Sequence, residues 1–181
     1  MQVSEDHRLL RTRQCTSPNR NVRPDPTDLS LVIVHNISLP PGEFGTGCVE
    51  ALFLNRLDVA ADERLADLEG LRVSAHLFID RRGRTTQFVP FNERAWHAGA
   101  SSWRGREGCN DYAIGIELEG TDSRPFTKAQ YRRLQKILTA LLKRYPGLSR
   151  SAIVGHQEVA PGRKTDPGPA FRWRECLDGL W

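Results

Sequence analysis

The chain has no Cys-x-x-Cys pair, no massed run of basic residues and no apolar stretch near the length of a membrane span. Its four cysteines, Cys15, Cys48, Cys109 and Cys176, lie scattered through 181 residues. That spacing suggests neither a thiolate zinc site nor a dense disulfide framework, and it fits a reducing cytosol. The longest apolar runs, such as Leu29 to Val34, fall far short of the ~20 residues a span requires. Acidic Glu5 and Asp6 stand where a signal peptide carries basic residues, and no apolar stretch follows within the first 28 positions. These absences predict a cytoplasmic chain with no membrane partner. The net charge is +4, but the arginines are spread along the chain, which serves an anionic small ligand as well as nucleic acid.

What is present is globular. Hydrophobic residues make up 39% and charged residues 27%, and the length suits one well-packed domain. Residues 1–28 are polar and carry the turn signals Ser17-Pro18-Asn19 and Arg23-Pro24-Asp25-Pro26, so they read as a lead-in arm to a domain over 29–181. Leu29 to Val34 is a β-branched apolar run that suits a buried central strand ending at His35-Asn36. Val49, Leu52, Phe53 and Leu57 follow helical spacing, with Thr46 as N-cap. The charged stretch 58–70 fits a helical turn or a surface loop equally.

Val73 to Ile79 and Thr85 to Val89 flank a turn containing Gly83 and predict a hairpin, and Ala113 to Leu118 predicts another strand. The clearest element is a helix over about 127–145. Thr127-Lys128-Ala129-Gln130 has the pattern of a capping box, and Tyr131, Leu134, Leu138, Leu141, Leu142 and Tyr145 form one stripe. Ala152 to His156 predicts a short strand, and 171–180 a closing helix. Strands and helices without strict alternation point to an α/β (α+β) domain: one central mixed sheet flanked by helices.

His35 and His156 both end apolar strand runs, where ligand crevices form in open sheets. Asp166 lies ten residues past His156, in a loop held by Pro161, Pro167 and Pro169. Two imidazoles and a carboxylate are a three-ligand set for catalytic zinc; the alternative is an Asx turn in a Pro/Gly loop. In Ile114 to Glu119 the strand period puts Gly115, Glu117 and Glu119 on one face. Either glutamate could serve as a base beside a metal, and both could equally be solvated on an exposed face. Lys164, two residues before Asp166, could place a cation beside developing oxyanion charge. Trp96-His97-Ala98-Gly99 reads as a substrate-lining turn or as a core tryptophan beside a satisfied histidine, and His76 reads as structural.

Several blocks together resemble a known family. They are Val34 to Gly45, Leu71 to His76, Arg94 to Gly99, Cys109-Asn110-Asp111, Ile114 to Asp122, Gly155-His156 and Arg163 to Pro169, in the family's order over nearly the whole chain. The resemblance is to the type-2 N-acetylmuramoyl-L-alanine amidases, related to peptidoglycan-recognition domains, and among them to those of muropeptide recycling. It implies Zn²⁺ held by His35, His156 and Asp166, Glu117 rather than Glu119 as general base and acid, and Lys164 on the oxyanion. It implies Asn36, Arg72, Trp96 and His97 as substrate-binding residues, with Arg72 on a stem-peptide carboxylate. Its substrate would be an anhydro-muropeptide, cleaved between the lactyl group of 1,6-anhydro-N-acetylmuramic acid and L-alanine by a monomer. Asp58 to Gly70 lacks a His-Pro dipeptide found in some relatives, and Gly108 stands where some carry a basic residue.

The alternative within the same fold is a non-catalytic muropeptide-binding module, disfavoured because every ligand and helper position is of competent type. The alternative from another class is a basic nucleic-acid-binding domain. Binding driven by phosphates would weaken steeply with salt, and metal-dependent hydrolysis would not follow that slope.

Overall fold

The computed structural model describes residues 1–180. Two short strands open the chain, Arg13–Gln14 (β1) and Arg20–Val22 (β2). The first long strand, Leu31–Ile37 (β3), is buried through its first five residues, as a continuous apolar run requires. It therefore extends past the expected end and carries His35 and Asn36 within it. Helix Cys48–Phe53 (α1) follows, started by Gly47 rather than Thr46. Thr46 Oγ1 instead donates to the Leu39 carbonyl and accepts from Cys48 N–H.

Residues 58–70, which fitted helix or loop, form two 3₁₀ segments, Val59–Ala61 and Glu63–Leu68. Each is capped by an aspartate, Asp58 and Asp62, accepting a backbone N–H. The expected hairpin is present as Leu77–Ile79 (β4) and Thr85–Gln87 (β5), paired antiparallel but shorter than predicted. Glu93–Ala95 (β6) forms a two-stranded ribbon with β2, and Ser102–Trp103 (β7) forms another with Arg106–Glu107 (β8). Ala113–Glu119 (β9) is buried at all seven positions.

Helix Lys128–Arg144 (α2) starts as predicted. Thr127 accepts from Gln130 N–H, and the Gln130 side chain accepts from Thr127 N–H. Ile153–Gly155 (β10) leads into one helical turn, His156–Val159 (α3), so the strand expected over Ala152 to His156 is shorter and His156 opens a helix instead. Glu158 stabilises that turn by accepting Gly155 N–H at 2.6 Å. Trp173–Leu177 (α4) closes the chain, shorter than the predicted 171–180.

The central sheet has the order β1-β5-β4-β9-β3-β10. It is mixed: β4, β9, β3 and β10 run parallel, while β5 is antiparallel to β4. Alternation fixes what each face carries. Val32, Val34, Ile114, Ile116 and Leu118 pack with Leu134, Ile137, Leu138 and Leu141 of α2. Leu31, Ile33 and Ala113 face the other way, so His35, Gly115 and Glu117 project from the face opposite α2.

The first 28 residues, read as a polar lead-in, lie along this domain. Arg13 and Gln14 pair in parallel with Thr86 and Gln87, and Leu9 and Arg23 are among the most deeply buried side chains. Strands of two or three residues are too short to leave a periodic signal.

Candidate active site

Register brings the first two residues together. β3 and β9 pair with His35 opposite Glu117, and β10 sets Gly155 beside Val34, so His156 enters next to His35. A side chain at 155 has no room: its Cβ would lie 2.6 Å from both Glu158 Oε2 and Pro167 Cδ. The Asp166 loop is tied down from several directions. Gln157 N–H donates to the Asp166 carbonyl at 3.0 Å, and Asn36 Nδ2 donates to the Pro167 carbonyl at 3.1 Å and to Asp122 Oδ1 at 2.7 Å.

Three polar atoms converge. His35 Nδ1 and His156 Nδ1 are 3.1 Å apart, and Asp166 Oδ2 lies 2.9 Å from the first and 3.2 Å from the second. His156 Nε2–H donates to the Ala98 carbonyl at 3.1 Å, which leaves the Nδ1 lone pair facing the cluster. His35 Nε2 sits 3.0 Å from His97 Nδ1, and with His35 as the donor in that contact its Nδ1 lone pair faces the cluster as well. Two imidazole lone pairs and a carboxylate aimed at one point repel one another unless a cation lies between them. One ligand atom from each of His35, His156 and Asp166 falls within 4.8 Å of the others, and this donor set fits zinc.

The two glutamates of β9 differ sharply. Glu119 is engaged: Gly45 N–H donates to Oε1 and Arg81 N–H to Oε2. Glu117 Oε1 lies 4.0 Å from His35 Nδ1, and its buried Oε2 has no hydrogen-bond partner. Burial first, and the nearby Asp166 charge second, push the Glu117 carboxyl well above the usual range, while Lys164 pulls it back. Burial would also raise Asp166, but its contacts with His156 and His35 outweigh this and hold the carboxyl well below the usual range.

Behind the cluster lies a buried polar layer. The His97 ring sits so close over Gly115 that a Cβ there would meet it at 2.4 Å. His76 accepts Gly115 N–H at Nδ1 (3.0 Å) and places Nε2 3.0 Å from the Glu93 carbonyl, a neutral tautomer. Burial, then the neighbouring Arg23 guanidinium, hold His76 well below its ordinary 6.5. The unfolded chain therefore binds the extra proton first, and stability is lost as pH falls through about 6.5. Urea unfolding should show a lower midpoint at pH 5.5 than at pH 7.5, with a smaller difference in His76→Gln. An undiminished difference in that variant would count against His76 as a source.

The other predicted residues are placed less centrally. Lys164 is exposed on the Asp166 loop, near enough for its charge to act on Glu117 and His35. Asn36 holds the Asp166 loop. Trp96 is half-buried and donates from Nε1 to Asn21 Oδ1 at 2.7 Å. Arg72 is exposed and lines a separate hollow of about 170 Å³ with Leu52, Asn55 and Leu57, so it is not brought to the His35–His156 cluster. Ala98, inside the Trp96 to Gly99 turn, contributes a backbone carbonyl to His156, a role that leaves no trace in residue type.

A mixed sheet that brings two histidines, an aspartate and an unpartnered buried carboxylate together on the side opposite α2 defines a mixed α/β domain with a metal-type donor set. The chain belongs to the N-acetylmuramoyl-L-alanine amidase family (Amidase_2), whose sequence model matches residues 25–169. It is 49% identical over 172 residues to the 1,6-anhydro-N-acetylmuramyl-L-alanine amidase AmpD of Haemophilus influenzae, covering 95% of this chain and 94% of that protein. The crystal structure of a Se-Met AmpD derivative superposes with a TM-score of 0.94 at 49% identity, covering 97% of each chain. The Escherichia coli amidase AmiD, in complex with anhydro-N-acetylmuramic acid-L-Ala-D-γ-Glu-L-Lys, superposes at 0.58 with 29% identity. That match covers 96% of this chain and 63% of AmiD. No helix among the described residues is long and apolar enough to cross a membrane, and Cys15, Cys48, Cys109 and Cys176 are all free thiols.

Proposed function

We propose that this chain hydrolyses the amide between the lactyl group of 1,6-anhydro-N-acetylmuramic acid and L-alanine of the stem peptide. The reaction is zinc-dependent and serves cytoplasmic muropeptide recycling, carried out by a monomer. The observation that carries the reading is the pair of imidazole Nδ1 atoms facing each other at 3.1 Å across Asp166, beside the unpartnered Glu117 Oε2. The names of the close relatives and the ligand bound to AmiD support the choice of substrate.

His35, His156 and Asp166 hold the zinc, which when bound supplies Lewis acidity toward the amide carbonyl and makes water more acidic. Glu117 is the general base and then the general acid. Its raised pKa suits a group that takes a proton from the attacking water and returns it to the leaving L-alanine nitrogen. Lys164 offsets negative charge as it develops on the carbonyl oxygen. Trp96 lines the sugar end, His97 backs His35 from behind the cluster, Asn36 ties the Asp166 loop, and Arg72, which stands away from the cluster, would meet only a distal carboxylate of the stem peptide.

The test is mass-spectrometric detection of free peptide and anhydro-muramyl sugar from an anhydro-muropeptide. It is run on the protein as purified, after chelation, and after zinc is restored. Cleavage should vanish with chelation and return with zinc. Cleavage that survives complete removal of zinc would overturn the metal-dependent mechanism.

A further inference from the structure

The Cys109-Asn110-Asp111 block has no part in the chemistry described so far, yet Asn110 is only 7% exposed. It stands in the 3₁₀ turn Cys109–Asp111. Its Oδ1 accepts two consecutive backbone N–H groups, from His97 at 3.1 Å and Ala98 at 2.9 Å. From the other side, Arg163 Nη2 donates to the carbonyls of Ala98 and Ala100, 2.6 Å each, closing the 160–166 loop onto the same segment.

That dipeptide touches both candidate ligand histidines. The Ala98 carbonyl receives Nε2–H of His156, and with His35 Nδ1 kept for the metal, His97 Nδ1 receives Nε2–H of His35. We propose that His97-Ala98 is one shared brace for both zinc-ligand histidines, and that Asn110, with Arg163 outside it, is the positioning residue that holds the brace. The inference rests on His35, His156 and Asp166 being the zinc ligands. The physical reason is that a partner on the far nitrogen fixes both the ring's rotation and which nitrogen keeps its lone pair. Ordinarily each ligand histidine has its own partner. Here adjacent residues serve both, so a displacement of one short segment misaligns two ligands at once. Two N–H donors side by side require an acceptor, which asparagine supplies and a leucine of similar size does not.

The experiment measures zinc affinity by chelator competition for the wild type, Asn110→Leu, Asn110→Asp, Arg163→Ala and Arg163→Lys. Circular dichroism and thermal melts check the fold of each. Asn110→Leu displaces both outer partners at once, so zinc affinity should weaken toward the roughly 10–100-fold loss typical of removing such a partner. Asn110→Asp keeps the acceptor oxygens and should stay close to wild type. Arg163→Ala should weaken zinc in the same direction by less, with Arg163→Lys between. In the cobalt-substituted protein, Asn110→Leu should also shift the visible absorption bands. A residue with only a structural role would lower the melting midpoint and leave the affinity and spectrum of the folded protein unchanged. Folded Asn110→Leu and Arg163→Ala with wild-type zinc affinity would overturn the brace alone. Because Arg163 is exposed, its variants decide the matter if Asn110→Leu does not fold. A wild type that takes up no zinc would instead overturn the ligand set, and the brace with it.

Discussion

Glu117→Gln is expected to abolish measurable hydrolysis of an anhydro-muropeptide while the fold and the zinc content stay as in the wild type. Glutamine keeps the size of the side chain and removes its ability to take and return a proton. General acid–base catalysis contributes about 10²–10⁴-fold, and a residue that moves the proton twice should cost the upper part of that range in kcat. KM should change little, since the side chain is not an anchor for the sugar or the peptide. Stability should move the other way. Glu117 is 8% exposed and its Oε2 is enclosed without a partner, an arrangement whose cost is greatest for the ionised form. Neutral glutamine removes that charge, so the thermal midpoint is expected to hold or rise. Wild-type turnover in Glu117→Gln would remove this residue from the chemistry. A large drop in the midpoint would show that the carboxylate supports the fold.

The contrast between Glu117 and Glu119 marks how far the sequence could be read. The strand period puts both on one face with Gly115, and nothing local separates them. The separation comes from partners far away in the chain. The β3–β9 register sets Glu117 against His35, while backbone N–H groups from Gly45 and Arg81 occupy Glu119. Such facts belong to the fold and not to any window of residues. Where a signal is local, it is legible. The α2 helix is announced by the Thr127/Gln130 capping box and its apolar stripe, and β3 by its unbroken apolar run.

Other elements left no such signal. β1, β2 and β6 to β8 are two or three residues each, below the length at which alternation can be told from chance. The 3₁₀ segments of 58–70 are held by the side chains of Asp58 and Asp62 on their own backbone, so no apolar period exists to find. Ala98 and Asn110 illustrate the same limit at the site. One acts through a carbonyl, and the other through backbone groups of residues twelve and thirteen positions earlier.

The other large effect is expected at Asp166. Asp166→Ala should lower zinc affinity by more than the 10–100-fold typical of losing an outer partner, since a ligand atom itself is removed. Each tenfold loss corresponds to about 1.4 kcal/mol of binding free energy. The loop should survive the change, because what ties it is not the carboxylate. The Asp166 carbonyl still accepts from Gln157 N–H, and the Pro167 carbonyl still accepts from Asn36. The two histidines would keep their outer partners, His97 and Ala98, yet face each other across 3.1 Å without the carboxylate that lay 2.9 Å and 3.2 Å from them. A two-imidazole site without the carboxylate binds zinc weakly, and hydrolysis should fall with zinc occupancy. Raising the free zinc concentration should therefore recover part of the activity in Asp166→Ala and none in Glu117→Gln. That difference separates a residue that holds the metal from one that moves the proton. Wild-type zinc affinity in a folded Asp166→Ala would remove Asp166 from the ligand set and leave the histidine pair to find its third ligand elsewhere.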